Sequence, residues 1–482
     1  MGISIKNDSK IAKIVTLFFG NVLSLLVGMI TAPIITRIVD TNEYGQVSFF
    51  TMYTNIFLLF TTLGLERAYI RYYYETHTEK RKKLLFDCVK TSLLFFVICI
   101  PLVLFLLSWA DFKVNASKYI VYALFVINGF MLTLEKFTIN NLRIQQKSMS
   151  YAISSILSKV IYGVLAVVLV LNFKKSEFLL LIASTTIAST CAFIFCMFAD
   201  KKSWNFRGIK KIESQWNIKE LLRFSLPLMI HGTIAIIFQS ADKIMIKHFC
   251  DYSQVGIYAS AGYYLTLCNV FVTAITTITG PEMYEYSAKN PKETKLFSLF
   301  NQMMSLIMFV LVFSIIFCKD ILVLLLGEQY RGAGKVMPFL MIGIVMSAVS
   351  GINAISIEIK KKTVYNVLIT GVSAIANIIG NYFLIPIFGI KGAAISTGCS
   401  YLVYFALTTI ISKKLLNFDM SVLKFCSITV LLLIFAIYNT FCSFGWITVF
   451  LYVVSIASTM LLYRKSFIFI FDKLKGIIKK RA

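Results

Sequence analysis

Fourteen apolar runs, each long enough to cross a lipid bilayer, follow one another along the chain and are separated by polar connectors. A membrane-spanning helix needs about 20 mostly apolar residues. The runs are centred near Leu25, Phe57, Val97, Val126, Val164, Ile187, Ile234, Asn269, Met308, Ile344, Ala374, Leu402, Leu432 and Tyr452. Because the number of runs is even, we expect both termini on the same side of the membrane.

The connectors alternate in charge, and this alternation predicts the orientation. Of the 48 Lys and Arg residues, 34 lie on the side of the N-terminus, 10 lie on the opposite side, and 4 lie within or at the edges of spans. Since Lys and Arg are retained on the cytoplasmic side, both termini are predicted to be cytoplasmic. Topology thus accounts for most of the formal charge of +25, and no nucleic acid partner is predicted.

Composition argues against an enzyme. The chain is 58% hydrophobic and 15% charged, whereas soluble domains are about 45–50% apolar and 25% charged. The longest polar segment, from Asp200 to Glu220, leaves no room for a soluble catalytic domain. No hydrolase elbow, phosphate-binding glycine loop, zinc-ligand pair or CxxC pair occurs. We therefore predict a transporter with no cofactor and no metal centre.

A weak internal repeat suggests how the spans are grouped. Asp40…Tyr44-Gly45 after the first run is echoed 211 residues later by Asp251…Val255-Gly256 after the seventh. Two halves of six helices would be parallel repeats, a known transporter plan. The predicted fold is an all-α polytopic membrane protein with about 14 transmembrane helices in two such six-helix lobes plus an extra C-terminal helix pair. The predicted divisions are an N-terminal lobe (1–200), a basic cytoplasmic connector (201–220), a C-terminal lobe (221–416), and helices thirteen and fourteen with a basic cytoplasmic tail (417–482).

Four basic residues in or near the spans are candidates for binding an anionic substrate. Arg67 and Arg71 are four residues apart and share one helix face. They fit either snorkelling to lipid headgroups or a bidentate grip on phosphate. Lys159 lies in the fifth span and Lys243 in the seventh. Charges in hydrocarbon are costly and mark a cavity or a partner by default, so structural pairing and a transport role both remain open for the two lysines.

Three acidic residues are candidates for ion coupling. Glu66 adjoins Arg67, Glu135 interrupts the fourth run, and Asp242 directly precedes Lys243 in the seventh. Adjacent residues on a helix do not face each other, so Asp242 and Lys243 are expected to find different partners. His231 in the same run is more typical of a buried, hydrogen-bonded imidazole than of a coupling site. Amides such as Asn301, Asn353, Asn377 and Asn381 suit interhelical hydrogen bonds or a wet lumen.

Several short motifs, in this order and spacing, resemble the polysaccharide flippases of bacterial surface-sugar gene clusters, within the multidrug/oligosaccharidyl-lipid/polysaccharide exporter superfamily. The resemblance covers essentially the whole chain. The motifs are Arg37…Asp40…Tyr44-Gly45, Leu65-Glu66-Arg67…Arg71-Tyr72-Tyr73, Pro227…Asp242-Lys243…Val255-Gly256-Ile257-Tyr258, Leu326-Gly327-Glu328-Gln329-Tyr330 and Phe388-Gly389…Gly392-Ala393-Ala394.

The resemblance implies a flippase of the bacterial inner membrane. It would move undecaprenyl-diphosphate-linked oligosaccharide to the outer leaflet by alternating access, for O-antigen or capsule synthesis. Arg67, Arg71, Lys159 and Lys243 would line a cationic lumen, and the extra helix pair would cradle the lipid tail. Membrane lipids, the polysaccharide polymerase and the export machinery are the other implied partners. Three rival functions are a multidrug or cation antiporter of the same superfamily, a cell-wall lipid II flippase, and a membrane-embedded sugar polymerase or ligase.

Overall fold

The structure is a computed structural model that describes residues 2–109, 112, 117–173, 176–290 and 293–468. These residues form helices joined by short turns and contain no β-strand. The predicted all-α fold class is therefore confirmed. The basic tail predicted beyond residue 468 lies outside the described residues. So do four lysines that contribute to the charge totals of the connectors, namely Lys113, Lys174, Lys175 and Lys292.

Contacts between Cα atoms divide the chain into two compact units, Met1–Ile236 and Ile237–Ala482. The division falls inside one helix, and the four-part domain division drawn from the sequence stays a prediction. The helices of the first unit are α1 Gly2–Ile38, α2 Thr41–Thr62, α3 Leu65–Tyr73, α4 Arg81–Ser108, α5 Lys118–Ile144, α6 Ser148–Asn172, α7 Glu177–Ala199 and α8 Lys201–Trp204. Helix α9, Ile218–Phe249, runs from the first unit into the second.

The described residues of the second unit continue with eight α-helices. They are α10 Tyr252–Lys289, α11 Lys295–Phe317, α12 Lys319–Val323, α13 Ala333–Ile359, α14 Val364–Phe388, α15 Ile390–Leu415, α16 Val422–Phe441 and α17 Trp446–Leu462. In the described part of the chain, twelve helices are long and apolar enough to span a membrane. The bent pair α2–α3 forms another candidate span, and α17 is an apolar helix of 17 residues. Each of the fourteen predicted runs thus coincides with a helix or a bent pair.

The same pairing of helices recurs in the two units. In the first unit α7 packs against α5 and α6, and α5 packs against α2 and α4. In the second unit α15 packs against α13 and α14, and α13 packs against α10 and α11. The extra pair, α16 and α17, packs against α11, and α16 also packs against α13.

Two aspartates mark equivalent positions in the two units and explain the sequence echo. Asp40 is the N-cap of α2 and accepts a hydrogen bond from the Asn42 amide at 2.8 Å. Asp251 is the N-cap of α10 and accepts from the Gln254 amide at 2.8 Å. An aspartate at this position satisfies one of the amides left open at a helix start. The repeated aspartate is therefore a repeated helix start.

The second span is broken, which the sequence did not predict. Helices α2 and α3 meet at an angle of 52°. Leu63 and Gly64 at the junction both have left-handed backbone, with φ of 50° and 69°. Helix α2 therefore ends here, and α3 runs in a different direction. Glu66 and Arg67 lie in the first turn of α3.

Candidate functional site

Asp242 lies at the centre of a buried polar cluster in the second unit. It projects from α9 and is 3% exposed. Four neutral donors converge on its carboxylate: Thr397 Oγ1 at 2.6 Å, Asn381 Nδ2 at 2.7 Å, Asn377 Nδ2 at 3.1 Å, and the Tyr258 hydroxyl. They come from α15, α14 and α10. A buried carboxylate needs such donors to offset its lost hydration, so these four partners hold Asp242 in place.

Close packing of α14 against α15 makes the cluster possible. Asn377 and Asn381 are one turn apart, so both side chains lie on the same face of α14. Gly380 lies beside them, and a Cβ there would come within 2.4 Å of Ser396 Oγ. The Ser396 hydroxyl donates to the Asn377 carbonyl at 2.8 Å. The missing side chain of Gly380 therefore lets α15 bring Thr397 up to the carboxylate.

A cavity of about 460 Å³ lies beside this cluster, within the second unit. Its polar lining includes Asp242, Lys243, Gln239, Asn269 and Ser347. One wall is aromatic, with the rings of Phe238 and Tyr401 4.8 Å apart. The cavity thus combines hydroxyl and amide groups with one carboxylate and one ammonium, which suits a polar ligand rather than a purely apolar one.

Lys243 is the cation of this cavity. It is only partly exposed, and the described residues offer its ammonium neither a hydrogen bond nor an ion pair within 4 Å. Asp242 is next in sequence but its carboxylate points to α14 and α15, in agreement with the expectation that the two residues have different partners. An ammonium inside a membrane span is costly unless an anion or water binds to it.

The remaining acidic and basic candidates do not gather at this cavity. Glu135 is 9% exposed on α5, with Ser189 of α7 as a hydrogen-bonding neighbour. Lys159 is exposed on α6. Arg71 forms an ion pair with Glu75 one turn further on, and its side chain is 57% exposed. A Glu four residues after an Arg favours such a pair, but the pair was not predicted from the sequence.

Arg67 and Glu66 start α3 beside the first half of α9. Arg67 is exposed, and its Nη1 lies 3.5 Å from the Leu228 carbonyl oxygen. Glu66 is 4% exposed and its Oε2 has no hydrogen-bond partner among the described residues. His231 on α9 is half-buried, lies within range of the Arg67 charge, and makes no hydrogen bond with the described part of the protein. The hydrogen-bonded imidazole expected from the sequence therefore stays a prediction.

Other amides of the spans join neighbouring helices. Asn301 of α11 donates to Asn353 of α13 at 2.6 Å, and Asn353 donates to Thr409 of α15 at 3.1 Å. Asn128 of α5 donates to Thr186 of α7 at 3.0 Å. These contacts match the interhelical role expected for most of the amides, whereas Gln239 and Asn269 line the cavity.

Tyr258, Thr397 and Tyr401 belong to the cluster or its cavity and were not identified from the sequence as site residues. Tyr258 and Thr397 carry no charge, and Thr397 lies 155 residues from its partner Asp242. The spacing of Asn377 and Asn381 does predict a shared polar face, because two amides one turn apart in an apolar helix lie on the same side. The described residues include no group of three His, Cys, Asp or Glu that could hold a metal ion.

An apolar groove of about 610 Å³ lies elsewhere in the second unit, between α10, α11 and the last helices. Leu267 and Phe271 come from α10, Val310 from α11, and Met460 from α17, while Phe467 follows α17. Its lining is almost entirely hydrocarbon, so it suits an acyl or prenyl chain. The fold and these two features define a multi-span membrane protein with a polar cavity and a separate apolar groove.

Comparisons with known proteins agree with this class. The family model described as "Polysaccharide biosynthesis protein" matches residues 11–287, more than half of the chain. The chain belongs to this family of polysaccharide biosynthesis proteins.

Two curated relatives are similar in sequence. "Lsg locus putative protein 1" of Haemophilus influenzae is 23% identical over 321 residues, which cover 65% of this chain and 76% of the relative. "Probable low-salt glycan biosynthesis flippase Agl15" of Haloferax volcanii is 23% identical over 226 residues, covering 45% of this chain and 47% of the relative.

Solved structures share the fold. A structure of the lipid II flippase MurJ in an inward closed conformation has a TM-score of 0.71 at 14% identity, and the match covers 95% of this chain and 99% of that one. A MOP superfamily transporter from Pyrococcus furiosus has a TM-score of 0.60 at 11% identity, covering 83% and 94%. An inward-facing multidrug resistance MATE family transporter has a TM-score of 0.59 at 13% identity, covering 81% and 94%. At these identities the likeness establishes the fold alone.

Proposed function

We propose that this protein flips lipid-linked oligosaccharide repeat units across the bacterial inner membrane by alternating access, as a transporter and not as an enzyme. The cargo is an undecaprenyl-diphosphate oligosaccharide that passes from the cytoplasmic to the outer leaflet for O-antigen or capsule synthesis. Both termini are cytoplasmic in this proposal, as the distribution of basic residues favours. The flippase named among the relatives supports the same class of cargo.

The observation that carries the proposal is the Lys243 ammonium in a polar cavity of an apolar helical fold. A sugar hydroxyl stripped of hydrogen bonds costs several kcal/mol in hydrocarbon, about 4–8 on a cyclohexane scale. Amide and hydroxyl groups such as those of Gln239, Asn269 and Ser347 can replace part of that lost hydration. The diphosphate is the constant anionic part of the cargo, and Lys243 supplies a cation that has no ion-pair partner among the described residues.

The apolar groove beside α17 gives the prenyl tail a place outside the polar cavity. Its wall of Leu267, Phe271, Val310 and Met460 offers hydrocarbon contact along α10, α11 and α17. The tail can then remain in an apolar environment while the sugars pass through a wet one. Movement of negative charge outward is further favoured by about 2.3 kcal/mol per elementary charge per 100 mV of membrane potential.

Asp242 is the residue we propose for ion coupling. Its carboxylate adjoins the cavity that holds Lys243 and has four neutral donors and no cation within salt-bridge distance among the described residues. Uptake of a proton or a sodium ion would neutralise it and change the charge beside the diphosphate site. Glu66 and Glu135 remain alternative coupling residues, because both are buried carboxylates.

The test is leaflet-resolved detection of lipid-linked oligosaccharide in a deletion strain complemented with variants. Deletion should leave the oligosaccharide on the cytoplasmic leaflet. Lys243→Ala should lower the export rate about ten- to a hundredfold, because a hydrogen bond to a charged group contributes about 1.5–3 kcal/mol, whereas Lys243→Arg should retain part of it. Lys247→Ala is the matched control, since Lys247 lies one turn further along α9 and stacks over Tyr252 instead.

Other outcomes assign other functions. Unchanged surface polysaccharide with altered drug sensitivity would contradict the proposal and favour a multidrug exporter, and accumulation of lipid II would favour a cell-wall flippase. In vesicles with imposed gradients, Asp242→Asn should transport at a rate independent of the proton or sodium gradient. A gradient dependence equal to that of the unmodified protein would remove Asp242 from the coupling role without affecting the proposal for Lys243.

A further inference from the structure

We infer that a groove at the end of α7 binds an anionic glycerophospholipid of the surrounding bilayer. The groove has a volume of about 500 Å³ and lies in the first unit. Phe193, Ile194 and Phe198 of α7 form its apolar part, and Lys201 and Trp204 of α8 form its polar end. It is separate from the polar cavity and from the groove beside α17, since it shares no lining residue with either.

The apolar part can hold the upper portion of an acyl chain. Ile194 is 45% exposed and Phe198 is 64% exposed, although both lie in a helix of membrane-spanning length. Phe193 and Phe198 are five residues apart in α7, which corresponds to about 7.5 Å along the helix axis. An acyl chain lying along α7 would cover these side chains and bring the glycerophosphate level with Lys201.

The polar end offers a free positive charge. Lys201 is exposed, its ammonium lies 4.7 Å from the centre of the Phe198 ring, and no carboxylate of the described chain pairs with it. The neighbouring acid, Asp200, is 4% exposed and bound to the Lys147 ammonium at 2.8 Å. Asp200 therefore does not neutralise Lys201. The Trp204 indole nitrogen is covered and, within the described residues, lacks a hydrogen-bond acceptor.

The sequence after α7 determines the sign of the lipid charge. Residues 201–211 contain Lys201, Lys202, Arg207, Lys210 and Lys211 and no acidic residue. A basic cluster immediately beyond a span attracts anionic headgroups by about 1 kcal/mol per Lys or Arg near the membrane surface. A zwitterionic lipid would place its own cation against the same cluster and gain less. The geometry thus favours phosphatidylglycerol or a similar anionic lipid over phosphatidylcholine.

The inference does not depend on which cargo the protein carries. Its test is native mass spectrometry of the purified full-length protein, titrated with phosphatidylglycerol or with phosphatidylcholine of the same acyl chains. The protein should retain phosphatidylglycerol in preference, and Lys201→Gln should weaken that retention about fivefold, the effect of one basic residue. Lys201→Arg should preserve it. Lys362→Gln, an exposed lysine in the turn between α13 and α14, is the matched control.

Three results would overturn the inference. One is equal retention of the two lipids by the unmodified protein. Another is equal loss of phosphatidylglycerol in Lys201→Gln and Lys362→Gln, which would indicate general surface attraction. The third is displacement of the lipid by glycerol phosphate alone, which would show that a headgroup site without an acyl groove is sufficient. Lys201 is exposed, so its replacement leaves the fold intact, and an unchanged thermal melt verifies this.

Discussion

Two glutamates, one at the N-terminal end of α2 and one at that of α7, each accept hydrogen bonds from groups at the start of the other helix. Glu43 Oε2 accepts from the Phe178 amide at 2.7 Å and from the Ser176 hydroxyl at 2.8 Å, both at the start of α7. Glu177 Oε2 accepts from the Asp40 amide at 2.7 Å, at the start of α2. Removing Glu43 should therefore destabilise α7 and the packing of α7 on α2, although the mutation lies in α2.

The magnitude follows from the contacts that Glu43 makes. A hydrogen bond to a charged group contributes about 1.5–3 kcal/mol, and loss of a helix cap costs about 0.5–2 kcal/mol. Glu43 is only half-buried, and its negative charge interacts with that of Glu177, so that its removal also relieves repulsion. We therefore expect Glu43→Ala to lower the free energy of unfolding by about 2 kcal/mol. Glu43→Gln keeps an acceptor oxygen and should cost about half as much.

The assay is thermal unfolding of the purified protein in detergent, followed by tryptophan fluorescence. For a cooperative unit of this size, 2 kcal/mol corresponds to a decrease in Tm of about 5 °C. Glu79→Ala is the control, because Glu79 is exposed and its side chain forms no hydrogen bond or ion pair within the described structure. A melt of Glu43→Ala that coincides with that of Glu79→Ala would refute the reciprocal capping, and Ser176→Ala should lose only part of the stability.

Two further predictions concern the bend and the turn after α9. Gly64→Ala should lower the free energy of unfolding by at least about 1–2 kcal/mol, because Gly64 has φ of 69° and an added Cβ would lie 2.8 Å from the Ser225 carbonyl oxygen. Gly28→Ala is the control, because the space around its Cβ is open. Equal melting temperatures of the two variants would contradict the strain argument. Burial and the neighbouring Asp251 raise the pKa of the Cys250 thiol, so the thiolate fraction at pH 7 is lower than for an ordinary cysteine. In a variant that keeps Cys250 alone, labelling from outside intact cells by an impermeant maleimide should be slow at pH 7 and accelerate as the pH rises; labelling solely after permeabilisation would contradict the predicted orientation.

Local patterns were sufficient to predict the helical plan. Each apolar run became a helix because a chain surrounded by lipid must satisfy its backbone hydrogen bonds within the segment. The repeated residues Asp40 and Asp251 are both N-caps, because an aspartate at a helix start accepts a hydrogen bond from an amide two or three residues later. The break at Leu63 and Gly64 escaped prediction, since a glycine in an apolar run is common and no proline marks the position.

The side-chain partners were harder to predict because they come from distant parts of the chain. Asp242 and Lys243 were identified from the sequence as charges inside a span, but Asn377 and Thr397 reach Asp242 across 135 and 155 residues. Arg67 and Arg71 share the short helix α3, yet Arg71 pairs with Glu75 and Arg67 lies against the Leu228 carbonyl. Spacing along one helix predicts a shared face, and it does not predict what lies opposite that face.

Glu43 illustrates the division between sequence and tertiary structure most clearly. Asp40 followed three residues later by Glu43 fits the pattern in which a glutamate returns to the start of its own helix. In the folded protein the Asp40 amide instead bonds to Glu177, and Glu43 bonds to α7. The sequence by itself determined which segments form long apolar helices and where charged residues lie within them, because these depend on neighbouring residues and on the apolar surroundings. Only the tertiary structure decided which acid caps which helix and which cation faces a cavity, because these depend on the packing of segments far apart in the chain.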